Sequence, residues 1–156
     1  NSKTPSVLSL TRQNLDPIRK NFSKNNKCSH GAYEVYRSSK KINVTILASG
    51  SEVGLAIDTS KELLKYKVYS KVISVPCQEI FDDQSNSYKN KILNEAKFNI
   101  TIEAASTDCW KKYVGKNGLC FGINDFGKSA PYQDIYKYFG LTPKNISQKI
   151  KNLLVE

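Results

Sequence analysis

A three-layer αβα domain with a mostly parallel sheet of about five strands, one of them an antiparallel edge strand, is the fold class that this sequence predicts. Three observations predict it. Short β-branched and apolar runs alternate along the chain with stretches of helical periodicity, as strands and crossover helices do in α/β proteins. A run such as Val44 to Ala48 is continuous rather than alternating, which suits a strand covered on both faces. The length, 156 residues, suits one domain, and such a domain buries roughly two-thirds of the surface its unfolded chain exposes.

The elements follow in order. Ser6 to Leu10 mixes apolar and small polar residues and runs into the polar Thr11-Arg12-Gln13-Asn14, which predicts a short strand ending in a loop. Asp16 to His30 is rich in Lys and Asn with almost no periodicity and reads as a linker. Ala32 to Tyr36 is a short strand, placed at an edge because Gly31 and the turn Ser38 to Lys41 bracket it closely. Val44 to Ala48 is a strand closed by Ser49-Gly50-Ser51-Glu52, after which Val53, Ala56, Ile57, Leu63 and Leu64 recur at helical spacing. Tyr69 to Val75 is the next strand, stopped by Pro76, so the first crossover is complete and should be right-handed with parallel strands. Gln78 to Leu93 carries helical pattern with a break near Gln84-Ser85, and Phe98 to Glu103 and Leu119 to Ile123 are two further strands. Thr107 to Tyr113 is a helix opening on a Thr or Ser cap. Tyr132 to Phe139 follows Pro131, and Pro143 to Leu154 follows the cap Thr142 with Pro143 at the favoured first position. No internal repeat is visible.

Composition narrows the function classes. The net charge of +10 comes from 21 lysines against 3 arginines, accompanied by 14 asparagines and 9 tyrosines. That bias is what AT-rich codons produce, and it lacks the arginine best suited to bidentate phosphate and guanine contacts. The lysines are spread along the chain and predict a solvated surface, not a nucleic-acid groove. Cys28, Cys77, Cys109 and Cys120 show no C-x-x-C spacing and read as free thiols of a reducing, cytoplasmic compartment, behaving as buried small hydrophobes. With His30 the only histidine, a zinc site is rejected. No apolar stretch approaches the roughly 20 residues a membrane helix requires, so no membrane partner is expected. The absence of methionine, with Asn1 a poor substrate for its removal, leads to the expectation that the chain was cut from something longer.

Two candidate sites emerge from the residues. The turn Ser49-Gly50-Ser51 places backbone N–H groups and a helix N-terminus at the carboxyl edge of a strand, where a phosphate could sit. One glycine is far from a dinucleotide fingerprint, however, and ordinary helix capping is the simpler account of Ser51-Glu52. Arg12 lies just past a strand end in a chain that otherwise uses lysine, which points to planar, bidentate binding of phosphate or carboxylate; a surface arginine packing its stem is the alternative. Trp110, Tyr113 and Phe121 interleave with Lys111 and Lys112 as in a base-stacking platform, but a face buried against the sheet is the simpler reading. Asp82 and Asp83 are adjacent, so their side chains diverge, and no Ser-His-Asp or Cys-His arrangement can be assembled.

Particular strings then carry a resemblance. Ser9-Leu10-Thr11-Arg12-Gln13-Asn14-Leu15, Ala48-Ser49-Gly50-Ser51-Glu52-Val53, Val75-Pro76 with Phe81-Asp82-x-Gln84, Trp110-x-Lys112-Tyr113-Val114-Gly115 and Phe126-Gly127-x-Ser129-Ala130-Pro131 arrive in the order of transketolase, and nearly the whole chain, from about Thr4 to Leu154, resembles that family's C-terminal domain. The resemblance implies that residues 1–30 are the last strand of the middle, pyrimidine-binding domain plus a linker, and that 31–156 are the C-terminal domain.

It also implies a function for the complete enzyme: transfer of a two-carbon ketol unit between sugar phosphates, with thiamine diphosphate and a divalent metal, Mg or Ca, at sites formed between two subunits. Arg12 matches the family arginine that binds the substrate's phosphate. No catalytic residue has a counterpart here, and neither has the diphosphate- and metal-binding element. The chain alone is therefore expected to bind no cofactor, to be inactive, and to pack against the other domains and a second subunit. Other thiamine enzymes, of the deoxyxylulose-phosphate synthase or pyruvate dehydrogenase β type, are alternatives, and a freestanding basic interaction module is the rival from another class.

Overall fold

The computed structural model describes residues 5–19 and 21–155, so the first four residues of the expected 1–30 segment, its residue 20, and residue 156 of the expected C-terminal domain lie outside the described residues. Five strands form one sheet in the order β1-β3-β2-β4-β5: β1 is Tyr33–Arg37, β2 Val44–Ala48, β3 Ser70–Ser74, β4 Phe98–Ile102 and β5 Leu119–Phe121. The pairs β2–β3, β2–β4 and β4–β5 are parallel. Strand β1 runs antiparallel along β3 at the edge, as its bracketing turns predicted.

Among the described residues six α-helices cover the sheet: α1 Glu52–Leu64, α2 Gln78–Asp82, α3 Asn86–Leu93, α4 Lys111–Val114, α5 Tyr132–Tyr138 and α6 Pro143–Val155. The strands divide their side chains between two cores because successive residues point to opposite faces. Val44, Ile46 and Ala48 of β2, with Val72, Ile100 and Ile102, pack against Val53, Ala56 and Leu63 of α1 and Ile146 and Ile150 of α6. Leu47 and Ile73 face the other way, onto Phe81, Ile92, Trp110 and Tyr113. Trp110 and Tyr113 are thus core, 2 % and 5 % exposed, and not a stacking platform. The break at Gln84-Ser85 is where α2 ends and α3 begins, with the Ser85 hydroxyl accepting from the Tyr88 N–H.

Several expectations are corrected. Ser6 to Leu10 forms no strand: it pairs with no edge among the described residues, and Val7, Leu8 and Leu10 stand 92 %, 85 % and 81 % exposed. A lone extended segment has no partner for its backbone groups or its apolar face, so its pattern cannot be realised there. The cysteines are free but not buried; Cys28 and Cys109 are exposed and the other two half-buried, because all sit at loops, helix starts or the sheet edge. The helix expected from Thr107 begins as a 3-10 turn, Asp108–Trp110, and Thr107 does not cap it: its N–H and hydroxyl bond Asn124 instead. Ser51 does not cap α1 either, since its backbone is already helical. Not every lysine is solvated, for Lys71 in β3 is 1 % exposed and ion-paired to Glu95.

Candidate functional site

The first crossover leaves β2 by α1 and adds β3 on one side, whereas the next passes through α2 and α3 and adds β4 on the other. The carboxyl ends of β2 and β4 therefore diverge at a topological switch point, the place where open α/β sheets hold ligands. The register sets Ala48 opposite Ile102, so the next residues, Ser49 and Glu103, meet across the opening. The Ser49 hydroxyl donates to Glu103 Oε2 at 2.6 Å.

Glu52 completes the group. It stands at the first position of α1 and is 3 % exposed, accepting from the Ser51 hydroxyl at 2.8 Å and from the Tyr136 phenol of α5. Its charge lies close enough to Glu103 to act on that carboxyl. Burial above all, then the bond and charge of Glu52, push the Glu103 carboxyl up to about 7, although the Ser49 bond acts the other way. Burial, followed by the bond to Glu52, likewise pushes the Tyr136 phenol up to about 12.

A cavity of about 820 Å³ opens above these groups. Its floor is Ser49, Gly50, Ser51, Glu52 and Glu103, its wall is α5 with Tyr132 and Tyr136, and its far side is the strap Ser9 to Leu15. Gln13 of the strap and Tyr136 of α5 line it from opposite sides. Arg12, next along the strap, is exposed and does not line the cavity. The structure thus brings the Ser49-Gly50-Ser51 turn and the segment around Arg12 to one place, with the arginine side chain itself outside it.

What the arrangement can do follows from its donors. Ser49 and Ser51 already donate to carboxylates, so the hydroxyls available to an anion are engaged, and the nearest ionisable groups are acids. A diphosphate does not fit this pocket, and no step of thiamine chemistry is assigned to it. Among the described residues no group of three or more metal-ligating side chains occurs. The acid pair was the part the sequence reading missed. Glu52 reads locally as a counter-charge for its helix, and Glu103 as the polar end of an apolar strand. The signal that could have found them is topological: both follow the carboxyl ends of the two strands that flank the switch point.

The comparisons agree with this fold. The family model for the transketolase-like C-terminal domain matches residues 31–142. The chain is 38 % identical over 151 residues to the transketolase of Buchnera aphidicola subsp. Acyrthosiphon pisum, covering 96 % of the chain and 23 % of that protein. It is 40 % identical over 153 residues to the transketolase of Staphylococcus epidermidis, covering 97 % of the chain and again 23 % of the relative. Among solved structures, the H261F transketolase of Pichia stipitis superposes with a TM-score of 0.82 at 34 % identity, over 92 % of this chain and 20 % of that one. The chain therefore spans about a quarter of the length of the curated relatives it matches and belongs to the transketolase family, of which it carries the C-terminal domain.

Proposed function

We propose that this chain serves as the C-terminal part of a thiamine-diphosphate-dependent enzyme that transfers two-carbon ketol units between sugar phosphates. The observation that carries the reading is identity of 38–40 % sustained along 96–97 % of the chain, through the strap as well as the sheet. In this reading residues 1–30 belong to the end of a preceding domain and 31–156 to the C-terminal domain. Thiamine diphosphate and its Mg or Ca ion are held by parts of the enzyme outside this chain, between two subunits of a cytoplasmic homodimer. The chain by itself supplies no acid, base or cofactor contact to the reaction and is inactive; apart from a substrate contact by Arg12, its role is packing and support. Mixing the purified chain with ketose and aldose phosphates, cofactor and metal should give no product, and turnover would refute that role.

Arg12 is the residue proposed to reach the substrate, binding the phosphate of the sugar. Two features support it: the string Leu10-Thr11-Arg12-Gln13-Asn14 matches the family's phosphate-binding element, and the guanidinium is exposed and outside the ion pairs of the described residues. In the complete enzyme Arg12→Ala should weaken kcat/KM for phosphorylated sugars by about 1.5–3 kcal/mol, felt mainly as a raised KM, the size of a lost charge-assisted contact. Ketose donors without phosphate should be nearly unaffected. Equal losses on both substrate types would make Arg12 a structural residue.

The Ser49-Gly50-Ser51 turn was the other candidate, for an anion. With Glu52 and Glu103 facing it, phosphate should give no heat on titration by calorimetry at neutral pH or above. Binding there would mean that both serine hydroxyls had left their carboxylates.

A further inference from the structure

Uncovered apolar side chains collect at the carboxyl end of the sheet. Val7, Leu8 and Leu10 stand out from the strap and its approach, and Phe126, in the loop that leaves β5, is 89 % exposed. The two groups belong to one place. Ile123 and Tyr132, which bracket the loop 124–131, line the cavity together with Leu10 and Leu15, so the loop departs from the cavity rim and returns to it. Every residue from Asn124 to Asp134 is exposed. The loop is nevertheless tied at its base. The Ile123 N–H donates to the Ala105 carbonyl at 2.9 Å, and the Asn124 side chain accepts from the Thr107 N–H at 2.9 Å and donates to the Thr107 hydroxyl at 3.0 Å. A phenyl ring left in water forgoes about 1.5–3 kcal/mol of burial, and a loop already held in place loses little entropy when it is covered. Charge also sets this end apart. The chain carries 24 lysines and arginines, yet none lines the cavity or the cleft that adjoins it past Tyr136. Apolar surface depleted of lysine has the composition of a protein–protein interface.

We propose that the strap and the loop 124–131 form one docking surface, that its occupant is the part of the same polypeptide that precedes this chain in the complete enzyme, and that Phe126 is the anchor of the contact. The surface rests on the reading of this chain as the C-terminal part of a longer enzyme, and it says which face that enzyme covers. The chain matches the C-terminal domain of relatives about four times its length, so the rest of that length lies ahead of the strap. Whatever precedes the strap is already beside the loop, and a tethered partner at high effective concentration is favoured there over a second subunit. The floor of the cavity offers the carboxylates Glu52 and Glu103, so the covering face is apolar and carries basic, not acidic, groups opposite them.

The test is hydroxyl-radical footprinting of the complete enzyme, each residue compared with its own rate in the urea-unfolded enzyme. Phe126 should lose most of its oxidation on folding, as a buried ring does. Leu64 and Tyr69, 40 % and 39 % exposed at the amino end of the sheet, should keep a large part of theirs. A Phe126 oxidised as readily as in the unfolded enzyme would overturn the surface. The occupant is tested by Phe126→p-benzoylphenylalanine in the complete enzyme. Illumination should leave the mass of one polypeptide on a denaturing gel and link position 126 to a peptide ahead of the strap. A crosslink to the second subunit, one confined to this chain, or none would overturn the occupant. Ketol transfer is assayed on the same unmodified preparation. Its absence would refute the catalytic reading without altering the protection of Phe126, so the two fail separately.

Discussion

Replacing Glu95 by Ala is expected to destabilise the domain by about 2–3 kcal/mol, toward the low end for a broken buried ion pair because the glutamate is partly exposed. The cause is Lys71. Its ammonium lies beneath the surface of β3, where it donates to Glu95 Oε2 at 2.9 Å and to the Lys91 carbonyl at 3.1 Å. Arg37 of the edge strand holds the same carboxylate through two bonds, of 2.6 and 2.8 Å, and the Glu34 carboxylate accepts from the same guanidinium. Removing Glu95 strands a buried charge whereas removing Lys71 does not, so Lys71→Met should cost under about 1 kcal/mol and should rescue most of the Glu95→Ala loss in the double variant. Urea denaturation of the four proteins measures this, and a Lys71→Met loss as large as that of Glu95→Ala would contradict the asymmetry. The Arg37 bonds first, then that of Lys71, draw the Glu95 carboxyl down to about 2. Its contribution is therefore present above the unfolded value of about 4.5 and is lost as pH falls toward 2.

Gly31→Ala should be the most damaging small substitution, with an expected loss of about 3–4 kcal/mol from left-handed strain and overpacking combined. Gly31 has φ +75°, and a Cβ there would lie 2.3 Å from the Phe81 backbone nitrogen and 2.5 Å from the Cys77 carbonyl oxygen. Neither atom can yield, since both belong to the backbone of the first turn of α2, and the Gly31 carbonyl accepts from the Cys77 N–H at 3.2 Å. Gly50 is the control. Its φ of +46° is also left-handed, but nothing lies within 4 Å of a Cβ built there, so Gly50→Ala should show the conformational cost alone, about 1 kcal/mol. Thermal unfolding of both variants separates the two effects; equal shifts in Tm would mean that the packing of Gly31 against α2 contributes nothing.

Local signals were sufficient wherever one segment decides its own structure. Val44–Ala48 forms β2 over the residues its apolar run marked, Pro143 opens α6 with the Thr142 hydroxyl accepting from the Asn145 N–H at 3.4 Å, and the Gln84-Ser85 break divides two helices. The same reasoning failed where a partner elsewhere in the chain, or its absence, decides. Ser6 to Leu10 has the composition of a strand but no edge to join, and Thr107 gives its hydroxyl to Asn124, 17 residues on, instead of to its own helix. Lys71 looked like one more surface lysine because burial of a charge is possible only beside acids that no local pattern reveals.

The sequence by itself determined the class of fold, the order of its elements, the edge position of β1 and the family, because periodicity, breakers and motif strings are properties of neighbouring residues. Only the tertiary structure decided that Glu52 and Glu103, 51 positions apart in the numbering, come together on one cavity floor, beside Ser49 and Tyr136. The strand order puts the ends of β2 and β4 side by side, and the environment of a carboxyl group is set by what the fold packs around it.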